Sequence, residues 1–237
     1  MPTPTRIEIA PSEHVTAIAY PAVPRDRLGA RLIVAHGAGA SQTSAFMVQF
    51  ATALAGRGID TLTFNFLYSE NGKRIPDRPD KLEACYRQVI QAVDDGAFGK
   101  SLGGGPLVIG GKSMGGRIAS QIAAGAIRHV AGLVFLGYPL HPPGHPEKLR
   151  IKHLSAIQVP MLFVQGARDA FGTPDELGPI LRGLKAPADL CIVEDGDHSF
   201  KVPKRAGPSQ EQVYEFVLDK IECWLRGKIL RRRPSLP

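Results

Sequence analysis

The sequence predicts an α/β fold, a three-layer sandwich in which a mostly parallel central sheet is covered by helices on both faces. Short, fully apolar runs have the pattern of strands buried on both sides, and they alternate with longer segments of helical periodicity. Such alternation is typical of a parallel sheet. Because 237 residues can bury one large core, we predict a single domain at 1–227, followed by a basic tail at 228–237.

An antiparallel hairpin is predicted at one edge of this sheet, from two strand-like runs at residues 6–9 and 15–20. The first fully apolar run, residues 32–35, has the pattern of a central strand and leads into His36 and a turn of small residues. The later strands are predicted at 61–64, 107–109, 130–136, 160–165 and 189–193.

Helices are predicted where apolar residues recur at helical spacing. These segments are 44–57, 80–97, the stretch after Ser113, 174–184 and 208–226. Asp80 stands where it could cap the second helix. Two loops, 65–79 and 137–146, are expected to frame a pocket.

The most informative stretch is Gly-Lys-Ser-Met-Gly at residues 111–115, at the end of a predicted strand and the start of a predicted helix. A sharp turn there brings the positions two before and two after Ser113 together, so both must be small, as Gly111 and Gly115 are. This is the sequence and the context of a nucleophile elbow, G-x-S-x-G. A phosphate-binding loop is the competing interpretation, but it requires glycine where Pro106 stands. An incidental serine in a glycine-rich turn is the structural alternative.

A serine hydroxyl needs a base beside it, and that base needs an orienting group. On a parallel sheet the loops after the strands meet at one edge, and in this architecture the order is Ser, then acid, then His. Of the seven histidines, only His198 follows both Ser113 and a suitable acid, Asp169. We therefore predict Ser113, Asp169 and His198 as a catalytic triad. The rival acids are Asp175, Glu176 and Asp197.

An oxyanion formed at Ser113 would need preorganised N–H donors. We expect them from the backbone of Met114 and of Ala38, because the neighbouring glycines let the backbone approach a substrate closely. His36 is expected to brace this loop rather than to react. The predicted substrate-binding residues are His36, Gly37, Gly39, Tyr138 and His141.

The motifs together resemble the α/β-hydrolase superfamily, through His-Gly-Ala-Gly at 36–39, the elbow, and Gly-Asp-His-Ser-Phe at 196–200. More narrowly, residues 110–117, 137–144 and 196–201 resemble the small dienelactone-hydrolase-like branch, which includes relatives of the testis-expressed and NSL-complex subunit-three proteins. The resemblance implies ester-type hydrolysis by the same three residues and no particular substrate. True dienelactone hydrolases carry cysteine where this chain has Ser113, which argues against a dienelactone substrate.

Many members of the superfamily insert a helical lid after the sixth strand. Here only residues 137–159 separate the sixth and seventh predicted strands, so no lid domain is expected. Lys112, Arg117, Arg168 and Lys201 lie near the candidate catalytic residues in sequence. We expect them to be solvated, with anionic substrates as the alternative.

Composition excludes several other classes of protein. No apolar run approaches the length of a membrane span, the N-terminus lacks the apolar core of a signal peptide, and three scattered cysteines suit a reducing cytosol, so a cytoplasmic protein is expected. No metal or cofactor is expected, since a triad and backbone donors suffice. The net charge of +7 is partly concentrated in the predicted tail. Nucleic-acid binding there is not favoured, because no aromatic residues interleave with the charges.

Two classes of function remain open on the sequence alone. The favoured one is a serine hydrolase acting on a small-molecule ester or thioester, with peptide or C–C bonds as variants. The other is a non-catalytic interaction protein that keeps the fold. A complete Ser-Asp-His set in the right order favours the enzyme. No oligomeric state follows from the sequence.

Overall fold

An eight-stranded sheet forms the middle layer of the molecule, seen here in a computed structural model that describes residues 4–125, 127, 129–204 and 207–232. The strands are Thr5–Ala10 (β1), Glu13–Tyr20 (β2), Arg31–Ala35 (β3), Asp60–Phe64 (β4), Leu107–Lys112 (β5), Val130–Leu136 (β6), Met161–Gly166 (β7) and Ala188–Val193 (β8). Their spatial order is β1-β2-β4-β3-β5-β6-β7-β8. Only β2 pairs antiparallel with its neighbours β1 and β4, so the edge hairpin and the mostly parallel sheet are both confirmed.

Helices cover both faces of this sheet. They are Ala45–Gly56 (α1), Leu67–Glu70 (α2), Pro79–Asp94 (α3), Met114–Ala124 (α4), Pro174–Arg182 (α5) and Gln210–Trp224 (α6). One core lies between the sheet and α3, α4 and α5, and a second core lies between the sheet and α1 and α6. The predicted three-layer sandwich is therefore confirmed.

The central strands show why their sequences are continuously apolar. In β5, Leu107 and Ile109 belong to the first core, whereas Val108 between them belongs to the second. Successive side chains of a strand point to opposite faces, so a strand with a core on each side needs apolar residues at every position. This pattern buries β5 completely and places its carboxyl end, with Ser113, at the edge where the loops converge.

The 65–79 segment differs from the predicted polar loop. It contains α2, whose Leu67 and Tyr68 are buried in the first core. The following helix begins at Pro79, with Arg78 as the preceding cap residue, so Asp80 lies inside the first turn instead of capping it. Proline suits this first helical position because its missing N–H would have no partner there.

No lid domain is present between β6 and β7, where the structure describes every residue and the only helical element is one turn of 3-10 helix, Leu154–Ala156. At the other end of the chain, α6 continues through a turn of π-helix, Leu225–Ile229, and a turn of 3-10 helix, Leu230–Arg232. Ile229 is buried, and Lys228 Nζ donates to Asp189 Oδ1 at 3.2 Å. The first residues of the predicted tail therefore pack on the domain, whereas 233–237 lie outside the described residues and the proposed division stays a prediction.

None of the helices in the described ranges is both long and apolar enough to cross a membrane.

Candidate active site

Ser113 occupies a strained turn between β5 and α4. Its φ of 52° and ψ of −114° lie outside the regions that residues with a side chain normally adopt. Such a conformation costs about 1–3 kcal/mol and persists only where the surrounding structure enforces it. The strain lifts the side chain clear of the sheet, above the N-terminus of α4, whose first N–H groups have no intrahelical partner.

The two glycines of the elbow are required by close backbone contacts. A Cβ at Gly111 would lie 2.8 Å from the carbonyl carbon of Gly115, and a Cβ at Gly115 would lie 2.7 Å from the carbonyl oxygen of His36. Both distances are shorter than real Cβ contacts. The steric argument made from the sequence therefore holds at both positions.

Three side chains from separate loops meet at this elbow. His198 Nε2 lies 2.8 Å from Ser113 Oγ, and His198 Nδ1 lies 2.8 Å from Asp169 Oδ2. Asp169 is buried, whereas the His198 side chain is 20% exposed. The imidazole can therefore exchange a proton with the Ser113 hydroxyl through Nε2, while the Asp169 carboxylate fixes its orientation through Nδ1.

The Asp169 carboxylate is itself held in place. Gln165 Nε2 donates to Asp169 Oδ2 at 2.8 Å, and the Phe171 N–H donates to Oδ1 at 2.8 Å. The Phe171 ring stacks at a tilt on the His198 ring, with their centroids 4.2 Å apart. These contacts leave the carboxylate and the imidazole with little freedom to rotate.

The three rival acids have other partners or positions. Asp197 Oδ1 accepts hydrogen bonds from the N–H groups of Ser199 and Lys201, at 2.7 and 2.9 Å, and so shapes the turn that carries His198. Glu176 accepts from Thr173 in the capping box of α5 and lies 3.2 Å from His141 Nε2. Asp175 is exposed in the first turn of α5. Of the four acids, Asp169 is the one that contacts the His198 ring.

Hydrogen bonds to the Gly37 carbonyl fix the orientation of the peptide group between Gly37 and Ala38. The Gly37 carbonyl lies 2.8 Å from His36 Nδ1 and accepts from Tyr68 Oη at 3.4 Å and from the Ala40 N–H at 3.2 Å. A trans peptide places its N–H opposite its C=O. The Ala38 N–H therefore faces away from these donors, and Ala38 lines the cavity together with Met114.

His36 is fully buried, and its hydrogen bonds define its tautomer. Its Nε2 accepts from the Phe66 N–H at 3.2 Å, so the proton resides on Nδ1, which donates to Gly37. Burial lowers the pKa of His36 to about 4, only partly opposed by the bond to Gly37. The neutral ring ties the Ala38 loop to the segment after β4, which agrees with the expected bracing role.

Lys112 joins the elbow to the His198 loop. Its side chain is buried, and Nζ donates to the His198 carbonyl oxygen at 2.7 Å. Gly137 leaves room for this bond, because a Cβ there would lie 2.8 Å from the same oxygen and 3.2 Å from Nζ. Burial lowers the pKa of Lys112 to about 8, against the opposing effect of Asp169 and Asp197. The expectation of a solvated lysine was therefore wrong.

An open cavity of about 650 Å³ surrounds the Ser113 side chain. Its wall combines apolar side chains with three cations and one carboxylate, drawn from six regions of the chain. The side chains with a direct bearing on chemistry or specificity are Phe46, Asp77, Lys112, Ser113, Arg117, Arg150, Phe171 and His198. The volume is in the range typical of small-molecule sites.

The predicted substrate-binding residues are only partly brought to this cavity. Gly37 lines it, whereas His36, Gly39, Tyr138 and His141 do not. Tyr138 turns into the first core, where its hydroxyl donates to the Arg150 carbonyl at 2.8 Å. His141 is buried against Glu176. Gly137, which follows β6 and precedes both residues, has a positive φ of 68°.

Sequence reasoning missed four residues of this site: Phe46, Arg150, Gln165 and Phe171. Phe46 was assigned only to the apolar face of its helix, and Arg150 lies beyond the loop that was expected to frame the pocket. Gln165 ends an apolar strand, and a polar residue at a fully buried position is the signal that could have revealed it. Phe171 follows Asp169 by two residues, close enough to suggest a contact.

The described residues contain no group of three or more His, Cys, Asp or Glu side chains arranged to hold a metal ion.

Comparison with known proteins assigns the chain to a family. Residues 28–226 match the family described as alpha/beta hydrolase domain, and because this covers most of the sequence, the chain belongs to that family. The resemblance to the α/β-hydrolase superfamily that the sequence motifs indicated is therefore confirmed.

Solved structures share the same fold over nearly the whole chain. A dienelactone hydrolase from Anabaena variabilis is 18% identical, with a TM-score of 0.72, over 97% of this chain and 98% of that one. A serine hydrolase described as having no lid, from Xanthomonas campestris, is 19% identical, with a TM-score of 0.69, over 100% and 97% of the two chains. A serine hydrolase homologue from Coxiella burnetii is 16% identical, with a TM-score of 0.71, over 92% and 97%.

Proposed function

We propose that this protein is a serine hydrolase that cleaves small esters or thioesters through an acyl-enzyme intermediate on Ser113. The observation that carries the proposal is the unbroken chain of contacts from Ser113 Oγ through His198 to Asp169, at 2.8 Å for each link. An isolated hydroxyl is a weak nucleophile, and this arrangement supplies both the base and the group that orients the base.

In the proposed first half-reaction, Ser113 Oγ attacks the carbonyl carbon of the substrate as His198 Nε2 takes its proton. The tetrahedral intermediate then collapses, and the leaving alkoxide or thiolate departs with the proton from His198. In the second half-reaction, His198 removes a proton from water as the water oxygen attacks the acyl carbon. As the bond from the acyl carbon to Ser113 Oγ breaks, His198 returns this proton to Oγ, which restores the free hydroxyl and releases a carboxylic acid. Asp169 stabilises the imidazolium in both halves.

The negative charge that develops on the substrate oxygen is assigned to the N–H groups of Ala38 and Met114. Met114 is the first residue of α4, so its N–H has no intrahelical partner. The Ala38 N–H is aimed by the three donors that hold the neighbouring carbonyl. Loss of one such donor typically costs about 3 kcal/mol in the transition state.

The cavity supports an acyl substrate of modest size. Its apolar wall includes Phe46, Met47, Leu82 and Phe171, which suit an alkyl or aryl acyl chain. With no lid domain between β6 and β7, the site is open to small substrates and offers no long enclosed tunnel. These features favour short-chain esters or thioesters over long-chain lipids.

The proposal is tested by fluorophosphonate labelling, since that probe requires an activated serine and little else. Wild-type protein is expected to be labelled, and Ser113→Ala and His198→Ala are expected to lose the label. Ser101→Ala, an exposed serine outside the site, is the matched control and should label like wild type. A folded wild-type protein that takes no label would contradict the hydrolase proposal and favour a non-catalytic interaction protein.

A further inference from the structure

The cavity beside Ser113 carries an excess of positive charge. Lys112, Arg117 and Arg150 line it, and Asp77 is the one carboxylate side chain among its described lining residues. Lys112 is already engaged with the His198 carbonyl. The two arginines are therefore the cations available to a substrate.

Neither arginine forms an ion pair with a carboxylate among the described residues. Arg117 Nη1 donates to the amide oxygen of Gln121 at 3.3 Å, and Arg150 Nη1 has a long contact of 3.5 Å with the Pro139 carbonyl. Arg27 and Arg57, also partly buried, do form ion pairs, with Asp60 at 3.2 Å and with Asp219 at 3.0 Å. Arg31 and Arg87 instead donate to single backbone carbonyls, at 3.2 and 3.4 Å. Arg117 and Arg150 differ from all four because they lie together on the wall of the cavity beside Ser113.

The two guanidinium groups also act on each other. The pKa of Arg117 is lowered, first by partial burial and next by the positive charge of Arg150, with Tyr138 and Glu83 opposing more weakly. Two like charges on one wall repel each other. An anion bound between them would relieve this repulsion and supply the acceptors that both side chains lack.

The position of Arg117 relative to Ser113 is set by α4. Arg117 lies four positions after Ser113, the cap residue of the helix, which corresponds to about 6 Å along the axis and places both on the same face. Helical side chains lean toward the N-terminus, so Arg117 extends toward the elbow. A group bound there is within reach of an acyl chain attached to Ser113.

Arg150 is positioned by its backbone. Its N–H donates to the Leu140 carbonyl at 2.8 Å, and its carbonyl accepts from Tyr138 Oη at 2.8 Å. The buried Tyr138 therefore fixes the segment that presents Arg150 to the cavity. A guanidinium presented in this way suits a carboxylate, which it can bind through two parallel hydrogen bonds.

We infer that the substrate of this site bears a carboxylate or a similar anionic group, which Arg117 and Arg150 bind while Ser113 attacks the ester or thioester carbonyl. The inference rests on the proposed hydrolase function and adds the chemical class of the substrate. The position of Arg117 favours an anion at the far end of the acyl chain, as in a half-ester of a dicarboxylic acid.

The test compares esters that differ by one charge. On the acyl side, the mono-p-nitrophenyl ester of adipic acid is compared with p-nitrophenyl hexanoate. On the leaving-group side, para-carboxyphenyl hexanoate is compared with its methyl ester. The measured quantity is the ratio of kcat/KM for the anionic ester to that for the neutral ester, corrected for spontaneous hydrolysis. Because each ratio is taken within one variant, a general loss of folded protein leaves it unchanged.

Wild type is expected to prefer the adipate half-ester by about 10- to 100-fold, the range for charge-assisted hydrogen bonds. Arg150→Gln and Arg117→Gln should each reduce that ratio about tenfold, mainly through KM, and Arg150→Glu should reduce it further. Arg182→Gln, an exposed arginine on α5, is the matched control and should keep the wild-type ratio.

Each outcome decides between the two proposals. Fluorophosphonate labelling with equal use of anionic and neutral esters in both arms would overturn the anionic substrate and leave the hydrolase intact. A preference confined to the para-carboxyphenyl ester would overturn the assignment of the anion to the acyl side. Absence of labelling would overturn the hydrolase proposal, and the substrate inference with it.

Discussion

Two walls of the same cavity are built in different ways. On the Ser113 wall, formed by Ser113, His198, Asp169 and the Ala38 loop, each polar group has at least one hydrogen bond of 2.8 Å to a defined partner. On the arginine wall, formed by Arg117 and Arg150, the side-chain contacts are 3.3 and 3.5 Å long, and neither guanidinium is paired with a carboxylate in the part of the chain that the structure describes.

This difference indicates that the Ser113 wall serves catalysis and the arginine wall serves substrate binding. Preorganised groups accelerate a reaction because they need not reorganise as charge develops. Groups that bind a substrate can instead form their strongest hydrogen bonds only when the substrate is bound. We therefore expect changes on the Ser113 wall to lower kcat, and changes on the arginine wall to raise KM.

The largest effect on the Ser113 wall short of removing the nucleophile is expected at Asp169. Asp169→Asn should lower kcat/KM about 10³- to 10⁴-fold, because the amide would favour the wrong imidazole tautomer. Steady-state kinetics on p-nitrophenyl hexanoate measures this, with Asp175→Asn as the matched control from a rival acid. An equal loss in the two variants would contradict the assignment of Asp169.

A smaller effect, on stability, is expected from His36. Its pKa is about 4 when folded and about 6.5 when unfolded, so between these values the unfolded state binds more protons. Stability that is present above pH 6.5 should therefore be lost as the pH falls to 4, by on the order of 3 kcal/mol.

His36→Gln, which cannot titrate, should remove that part of the pH dependence in urea unfolding. His153, whose pKa is also lowered to about 4 by burial, contributes equally to both proteins and cancels in the difference. The exposed His145→Gln should follow wild type. A wild-type slope that survives in His36→Gln would show that His36 is not held neutral in the folded protein.

The smallest of these effects is expected at the elbow glycine. Gly115→Ala places a methyl group against the backbone of Ala35 and His36, and should lower the free energy of unfolding by about 1–3 kcal/mol. Gly104→Ala is the control, because nothing lies within 4 Å of a Cβ there. Equal urea midpoints for the two variants would mean that the elbow is less tightly packed than the structure indicates.

Much of the Ser113 wall could be predicted because its signals are local. The elbow requires small residues at fixed spacing, and the loops after parallel strands converge at one edge. These two rules predict from the sequence that Ser113, Asp169 and His198 lie together at one edge of the sheet. The apolar runs likewise predicted the central strands, since burial on both faces demands them.

The arginine wall was less predictable because its geometry depends on contacts between distant segments. The path of residues 137–150 is set by the turn at Gly137 and by the bond from the His141 N–H to the Phe171 carbonyl, 3.0 Å long. No periodicity in the sequence reports such contacts. The sequence therefore predicted that Tyr138 and His141 bind the substrate. In the structure they instead stabilise the segment that carries Arg150.

The central claim is that Ser113 carries the acyl group during turnover. The most direct measurement is intact-mass analysis of the protein quenched within the first turnover of p-nitrophenyl hexanoate, followed by peptide mapping. We predict a gain of one hexanoyl group per chain, located on Ser113 and absent from Ser113→Ala. Steady turnover with no acyl adduct, or with an adduct on another residue, would contradict the account.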